Sequence, residues 1–194
     1  MILGITGAFG CGKSSVLHFF ASENWHIFDA DAVCRKFYDN KNTAVIAAVK
    51  EIFGSDVFAP DGSVDRKKIA GEAFVHPEKM QSLTDVMYPL LTEQLNSEIN
   101  YCRKNKLNGA FEVPLLYEAG FETYFDAVLA VWAPEALRKE RLHGRNFSDA
   151  EIERRNRMQI HADEKLERAD FAIINTGNLD QLEQQLAELT GSLI

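Results

Sequence analysis

A glycine-rich run near the amino terminus, Gly7-Ala8-Phe9-Gly10-Cys11-Gly12-Lys13-Ser14, fits the P-loop pattern of glycine, four residues, glycine, lysine and then serine or threonine. Glycines at this spacing let consecutive backbone N–H groups converge on the β- and γ-phosphates of a nucleotide, and the start of a helix adds partial positive charge. Lys13 supplies a full charge, and the Ser14 hydroxyl is the kind of ligand that takes the Mg²⁺ bridging the phosphates. A tight turn alone would explain neither the glycines nor the lysine. The chemistry indicated is phosphoryl transfer from, or hydrolysis of, a nucleoside triphosphate, with ATP the expected donor.

Two further groups bear on what receives the phosphate. Asp29-Ala30-Asp31 ends a short apolar run; at the carboxyl edge of a parallel sheet, one carboxylate could take an alcohol's proton while the other holds substrate or metal-bound water. The alternative is a helix N-cap at Asp31 followed by an acidic first turn. Arg138, Lys139, Arg141, Arg145, Arg154, Arg155 and Arg157 concentrate in one stretch, with Arg138, Arg141 and Arg145 at helical spacing and a turn over 144–148. Two short helices joined by that turn would make a lid whose arginines neutralise charge and exclude water. A solvated face with salt bridges to Glu140, Glu151 and Glu153 is the plainer account of the same residues.

These residues require elements to position them. Apolar runs predict strands over Ile2–Thr6, up to Asp29, over Gly109–Leu116, over Ala127–Trp132 and over Ala172–Ile174. Amphipathic stretches predict helices over Ser14–Ser22, Ala32–Tyr38, Thr43–Phe53, Pro77–Arg103, Pro134–Gly144, Ser148–His161 and Leu179–Leu189. Alternation of the two implies an α/β fold of three layers, a five-stranded parallel sheet with helices on both faces, as in P-loop nucleoside triphosphate hydrolases. Residues 32–108 are too helical for a loop and too long for one crossover, so they predict a helical substrate-binding insertion.

Composition sets the limits. At 194 residues, 46% hydrophobic and 26% charged, the chain suits one globular domain. A net charge of -8 argues against nucleic acid as a partner. Cys11, Cys34 and Cys102 have neither disulfide-framework nor zinc spacing, and no window of about 18 apolar residues occurs, so a cytoplasmic, membrane-free protein is expected, monomeric or a small homo-oligomer.

The P-loop, Asp29-Ala30-Asp31 with Arg35, and Glu112-Val113-Pro114-Leu115-Leu116-Tyr117-Glu118 together resemble the dephospho-coenzyme A kinase family. Arg141-Leu142 with Arg145, Arg155 with Gln159, and Ala169-Asp170-Phe171 running into Asn175-Thr176-Gly177 carry the resemblance along nearly the whole chain. It implies ATP-dependent phosphorylation of the ribose 3′-hydroxyl of dephospho-coenzyme A, the last step of coenzyme A synthesis. By resemblance, Lys13, Asp31 and Arg141 are the catalytic candidates, with Asp31 ahead of Asp29 as base. Gly10, Cys11, Gly12, Lys13, Ser14 and Ser15 would line the ATP phosphates, Arg141 and Arg145 would reach them, and Asn175 to Gly177 would border the adenine. Thr6, Asp29, Arg35, Pro114, Leu115 and Glu118 would surround the acceptor, and Ser14 would ligate Mg²⁺. The implied organisation is a core over about 1–31, 109–140 and 166–194, an insertion over about 32–108 and a lid over about 141–165. Ala8, Phe9 and Cys11 depart from the family's usual P-loop, Tyr88 stands where histidine is common, and Arg138 where glutamine is common.

Other small-molecule kinases with nucleoside, nucleotide or sugar acceptors remain the nearest alternative. A GTPase switch would need an Asn-Lys-x-Asp element, and Asn105-Lys106-Leu107-Asn108 lacks its aspartate. An inactive homologue is the third possibility, against which stand Lys13, Ser14, Asp29, Asp31 and Arg141.

Overall fold

The computed structural model describes residues 1–39 and 41–193. In chain order the elements are β1 (Ile2–Thr6), α1 (Lys13–Ser22), β2 (His26–Asp29), α2 (Ala30–Asp39), α3 (Thr43–Phe53), α4 (Arg66–Val75), α5 (Pro77–Asn105), β3 (Gly109–Glu112), β4 (Ala127–Trp132), α6 (Glu135–His143), α7 (Asp149–Arg157), α8 (Ala162–Arg168), β5 (Phe171–Ile174) and α9 (Leu179–Leu193). They fall into two compact units, Met1–Asp29 with Glu98–Ile194, and Ala30–Ser97.

The first unit is built on one parallel sheet of order β2-β3-β1-β4-β5. β1 is buried throughout because it is central and covered on both faces. Leu3 and Ile5 point to one face, where Val16, Leu17 and Phe20 of α1 and Leu182 and Leu186 of α9 join Trp25 in the core. Gly4 points to the other, where a side chain would run into Phe125 and Leu116. The register pairs Ile5 with Glu112 and Asp29 with Glu112, which sets the carboxyl ends of β1, β2 and β3 side by side.

The second unit is helical. Val45, Val49, Phe53, Val57, Ile69, Leu83 and Met87 form its core, with Phe37 and Tyr38 packed against it. Asn42 caps α3 by accepting from the N–H groups of Ala44 and Val45, and Asp65 caps α4 by accepting from those of Lys67 and Lys68.

Several expected boundaries need correction. The strand expected over Gly109–Leu116 ends at Glu112, because Pro114 has no N–H for a sheet ladder and the chain turns there, Ala119 donating to the Leu115 carbonyl. The helix expected over Ser148–His161 stops at Arg157, and α8 begins anew behind His161, which caps it through Asp163 N–H. α2 starts at Ala30, so Asp31 lies in its first turn and is not an N-cap.

Candidate functional site

The turn between β1 and α1 forms an open cradle. Gly7 has φ +148°, and a Cβ there would strike the Val131 carbonyl of the neighbouring strand. Gly12, with φ +102°, starts α1 without any side-chain cap, and no acidic residue lies in the helix's first turn. Cys11 and Ser15 donate their amides to the Ala8 and Gly12 carbonyls, which leaves those of Lys13 and Ser14 for an anion, where the helix macrodipole also attracts one. Lys13 is 7% exposed, and its ammonium donates to the carbonyls of Gly7 at 2.9 Å and Ala8 at 3.2 Å. The loop's own carbonyls thus hold a full positive charge against the glycine turn. Ser14 is exposed at the start of α1, and Cys11 is buried beneath the loop.

A second wall comes from α6, α7 and the β5–α9 connection. The Asn175 amide donates to the Cys11 carbonyl at 2.9 Å, its Oδ1 accepts from Arg141 Nη2 at 3.4 Å, and its backbone N–H donates to the Trp132 carbonyl. Arg141 Nη1 is buried with no hydrogen-bond partner among the described residues. A buried guanidinium nitrogen left in that state is a position for an anionic oxygen. Arg138, by contrast, braces the backbone. It is 7% exposed, and it donates to the carbonyls of Ala133 and Phe9, both at 3.2 Å. Phe9 meets the Phe147 ring edge-on at 5.0 Å, and the Arg155 guanidinium lies 4.6 Å above Phe9. Arg145 is exposed, with its guanidinium 5.8 Å from the Phe147 ring, so the structure does not bring it to the loop as it does Arg141. Gly177 packs against the Gln181 side chain.

The segment leaving β3 makes a third side. The Pro114 carbonyl accepts from the Thr6 hydroxyl at 3.3 Å and from the Lys165 ammonium at 2.5 Å. Glu118 Oε1 accepts from Lys165 at 2.9 Å and from the Ile160 N–H at 2.9 Å, while Glu118 Oε2 is buried and has no hydrogen-bond partner among the described residues. Burial pushes the Lys165 ammonium below the ordinary lysine range, against the pull of Glu118. Burial likewise pushes the Tyr117 phenol up, with Arg168 opposing from 4.1 Å above the ring. Trp132 at the end of β4 donates its indole N–H to Asp163 Oδ1 at 2.7 Å.

Thus Thr6, Pro114 and Glu118 are joined in one network, Leu115 lies in the same turn, and Gly10 to Ser15, Arg141 and Asn175 meet at the cradle. Asp29 ends β2 in the first unit, whereas Asp31 and Arg35 belong to α2 in the second. Sequence reasoning missed Lys165, whose helix reads as ordinary surface, and the structural part played by Arg138. It also gave no role to Glu112, a buried acid at the tip of β3; an apolar run ended by an acid was the available signal.

A parallel sheet carrying this cradle behind its central strand, with a buried lysine and an arginine converging on the loop, defines a P-loop kinase fold. The family model for dephospho-CoA kinase matches residues 1–181. The chain belongs to the dephospho-CoA kinase family. It is 34% identical over 186 residues to the dephospho-CoA kinase of Enterococcus faecalis, covering 95% of this chain and 93% of that one. A Thermus thermophilus protein of known structure superposes with a TM-score of 0.81 at 32% identity, covering 100% of this chain and 98% of its own. The dephospho-CoA kinase from Campylobacter jejuni shares the fold with a TM-score of 0.74 at 22% identity, covering 99% and 96%.

Proposed function

We propose that the protein transfers the γ-phosphoryl group of ATP to the ribose 3′-hydroxyl of dephospho-coenzyme A, giving ADP and coenzyme A. The observation that carries this is the convergence of Lys13 and the unpartnered Arg141 nitrogen on an uncapped helix N-terminus, in a chain of this family. Phosphoryl transfer asks little covalent chemistry of the protein and much charge stabilisation and alignment. Lys13 would leave the Gly7 and Ala8 carbonyls for the β- and γ-oxygens, and Arg141, steadied by Asn175, would meet the same oxygens from the other wall. The amides from Gly10 to Ser15 would hold the phosphates, Asn175 and Gly177 would border the adenine, and Arg145 would assist.

Ser14 would ligate Mg²⁺, with phosphate oxygens and waters completing the shell. Bound there, the ion would withdraw charge from the transferred group. The position fits this use, since the Ser14 hydroxyl is exposed at the start of α1, beside the uncapped helix N-terminus. Asp31 would accept the hydroxyl proton, with Asp29 the alternative base, and Thr6, Arg35, Pro114, Leu115 and Glu118 would contact the acceptor. Residues of about 32–108 would act as the substrate-binding insertion and about 141–165 as the lid, around a core of about 1–31, 109–140 and 166–194.

No described helix is long and apolar enough to cross a membrane. The enzyme would be cytoplasmic and monomeric or a small homo-oligomer, and the net charge of -8 supports its not engaging nucleic acid. The test is ADP release with Mg²⁺-ATP and dephospho-coenzyme A, run beside adenosine, AMP, shikimate and gluconate. Release confined to dephospho-coenzyme A, with a 3′-phosphorylated product, is expected; transfer to another acceptor would overturn the substrate assignment.

A further inference from the structure

Lys165 has 0% of its side chain exposed, and it is the residue that α8 buries. A lysine seldom occupies such a place, because an ammonium removed from water must recover its hydration from fixed partners. Both of its partners, the Pro114 carbonyl and Glu118 Oε1, lie on the segment between β3 and β4. Through Pro114 the same network reaches the hydroxyl of Thr6, the residue immediately before the cradle. Ile160, between α7 and α8, donates its N–H to the same Glu118 oxygen. One carboxylate oxygen is thus fixed by two donors from another part of the chain, while the second is buried without a partner among the described residues.

We propose that Lys165 is a positioning residue for acceptor recognition: it holds the 114–118 segment so that Glu118 Oε2 accepts a hydrogen bond from a neutral donor, a hydroxyl or amine, on the phosphoryl acceptor. The chemistry follows from charge. Lys165 cancels the carboxylate's charge, so the pair neither repels an acceptor that carries its own phosphates nor attracts a cation, and what remains is a directional lone pair. The role rests on the acceptor assignment made above.

The experiment is a cycle of Lys165→Met, Glu118→Gln and the double variant, with Lys165→Arg as the conservative control, read as KM and kcat for each substrate. Removing either partner should raise KM for dephospho-coenzyme A about tenfold while KM for ATP stays within about twofold. The double variant should be no worse than the poorer single variant, because both act through one contact, and Lys165→Arg should restore most of the affinity. The double variant also leaves no buried charge unpaired, so it reports even if Lys165→Met fails to fold. Active wild-type enzyme with an unchanged KM for dephospho-coenzyme A in the double variant would overturn the inference, as would a parallel rise in KM for ATP. Wild-type protein that transfers nothing to dephospho-coenzyme A would instead overturn the acceptor assignment itself.

Discussion

Asn175 and Gly12 compete for one space: the Asn175 amide nitrogen that donates to the Cys11 carbonyl stands where a Cβ on Gly12 would project. The phosphate loop and the β5–α9 connection are therefore fitted to each other across the sheet. Gly12→Ala must displace Asn175, and with it the anchor of Arg141, while placing a side chain at φ +102°. We expect ATP affinity to fall at least about tenfold and stability by about 1–3 kcal/mol. Titration calorimetry and urea unfolding measure the two, and wild-type values in both would show that Asn175 yields freely.

Asp31→Asn is expected to lower kcat by about 10²–10⁴ with ATP affinity nearly intact, since a general base matters to the chemical step alone. Asp29→Asn should affect KM for the acceptor more than kcat. Steady-state kinetics on both variants decide the matter, and a larger kcat loss at Asp29 would exchange the two roles.

Arg138 carries the loop's outer edge by donating to the Ala133 and Phe9 carbonyls. Arg138→Gln cannot satisfy both at the same reach, so we predict a loss of about 1–3 kcal/mol in unfolding free energy. Its effect on kcat should be small, because the guanidinium spends its donors on backbone and on Asn156. A large kcat effect at unchanged stability would place Arg138 on the phosphates instead.

Tyr38 gives the helical unit a defined alkaline limit. Burial, with a smaller push from Cys34 and against Arg66, raises its phenol to about 12 from the ordinary 10.0. The folded state then holds a proton that the unfolded chain has released, so this stabilisation is complete below about pH 10 and is lost as pH rises toward 12. Tyr38→Phe should flatten the alkaline fall in stability, while also losing the hydrogen bond to Met87 Sδ. Tyrosinate absorbance of the folded protein provides the check: ionisation of every tyrosine near pH 10 would refute it.

The sheet and its cradle were legible because their signals are local. β1 is a buried run, the P-loop has fixed glycine spacing, and α3 and β4 end where the sequence periodicity ends. What escaped depends on contacts distant in sequence. Leu116 and Tyr117 are buried like strand residues, yet they belong to a turn, so hydrophobicity alone extended β3 too far. α4 carries no continuous apolar stripe, and its start is set by the Asp65 cap. The burial of Lys165 could not be foreseen, since Glu118 and the Pro114 carbonyl, on a different stretch of chain, make it tolerable.

The two tryptophans divide the protein's optical behaviour. Trp25 is sealed in the core, its ring 4.8 Å from that of Phe20, and should emit at short wavelength, indifferent to dissolved quenchers. Trp132 stands at the sheet's carboxyl edge with its indole N–H on Asp163 and its carbonyl holding the Asn175 backbone. Its light should be the longer-wavelength component and the one that changes when an anion settles beside Asn175. Filling of the nucleotide site can then be followed by intrinsic emission without a label, with Trp25 serving as the constant reference in the same molecule.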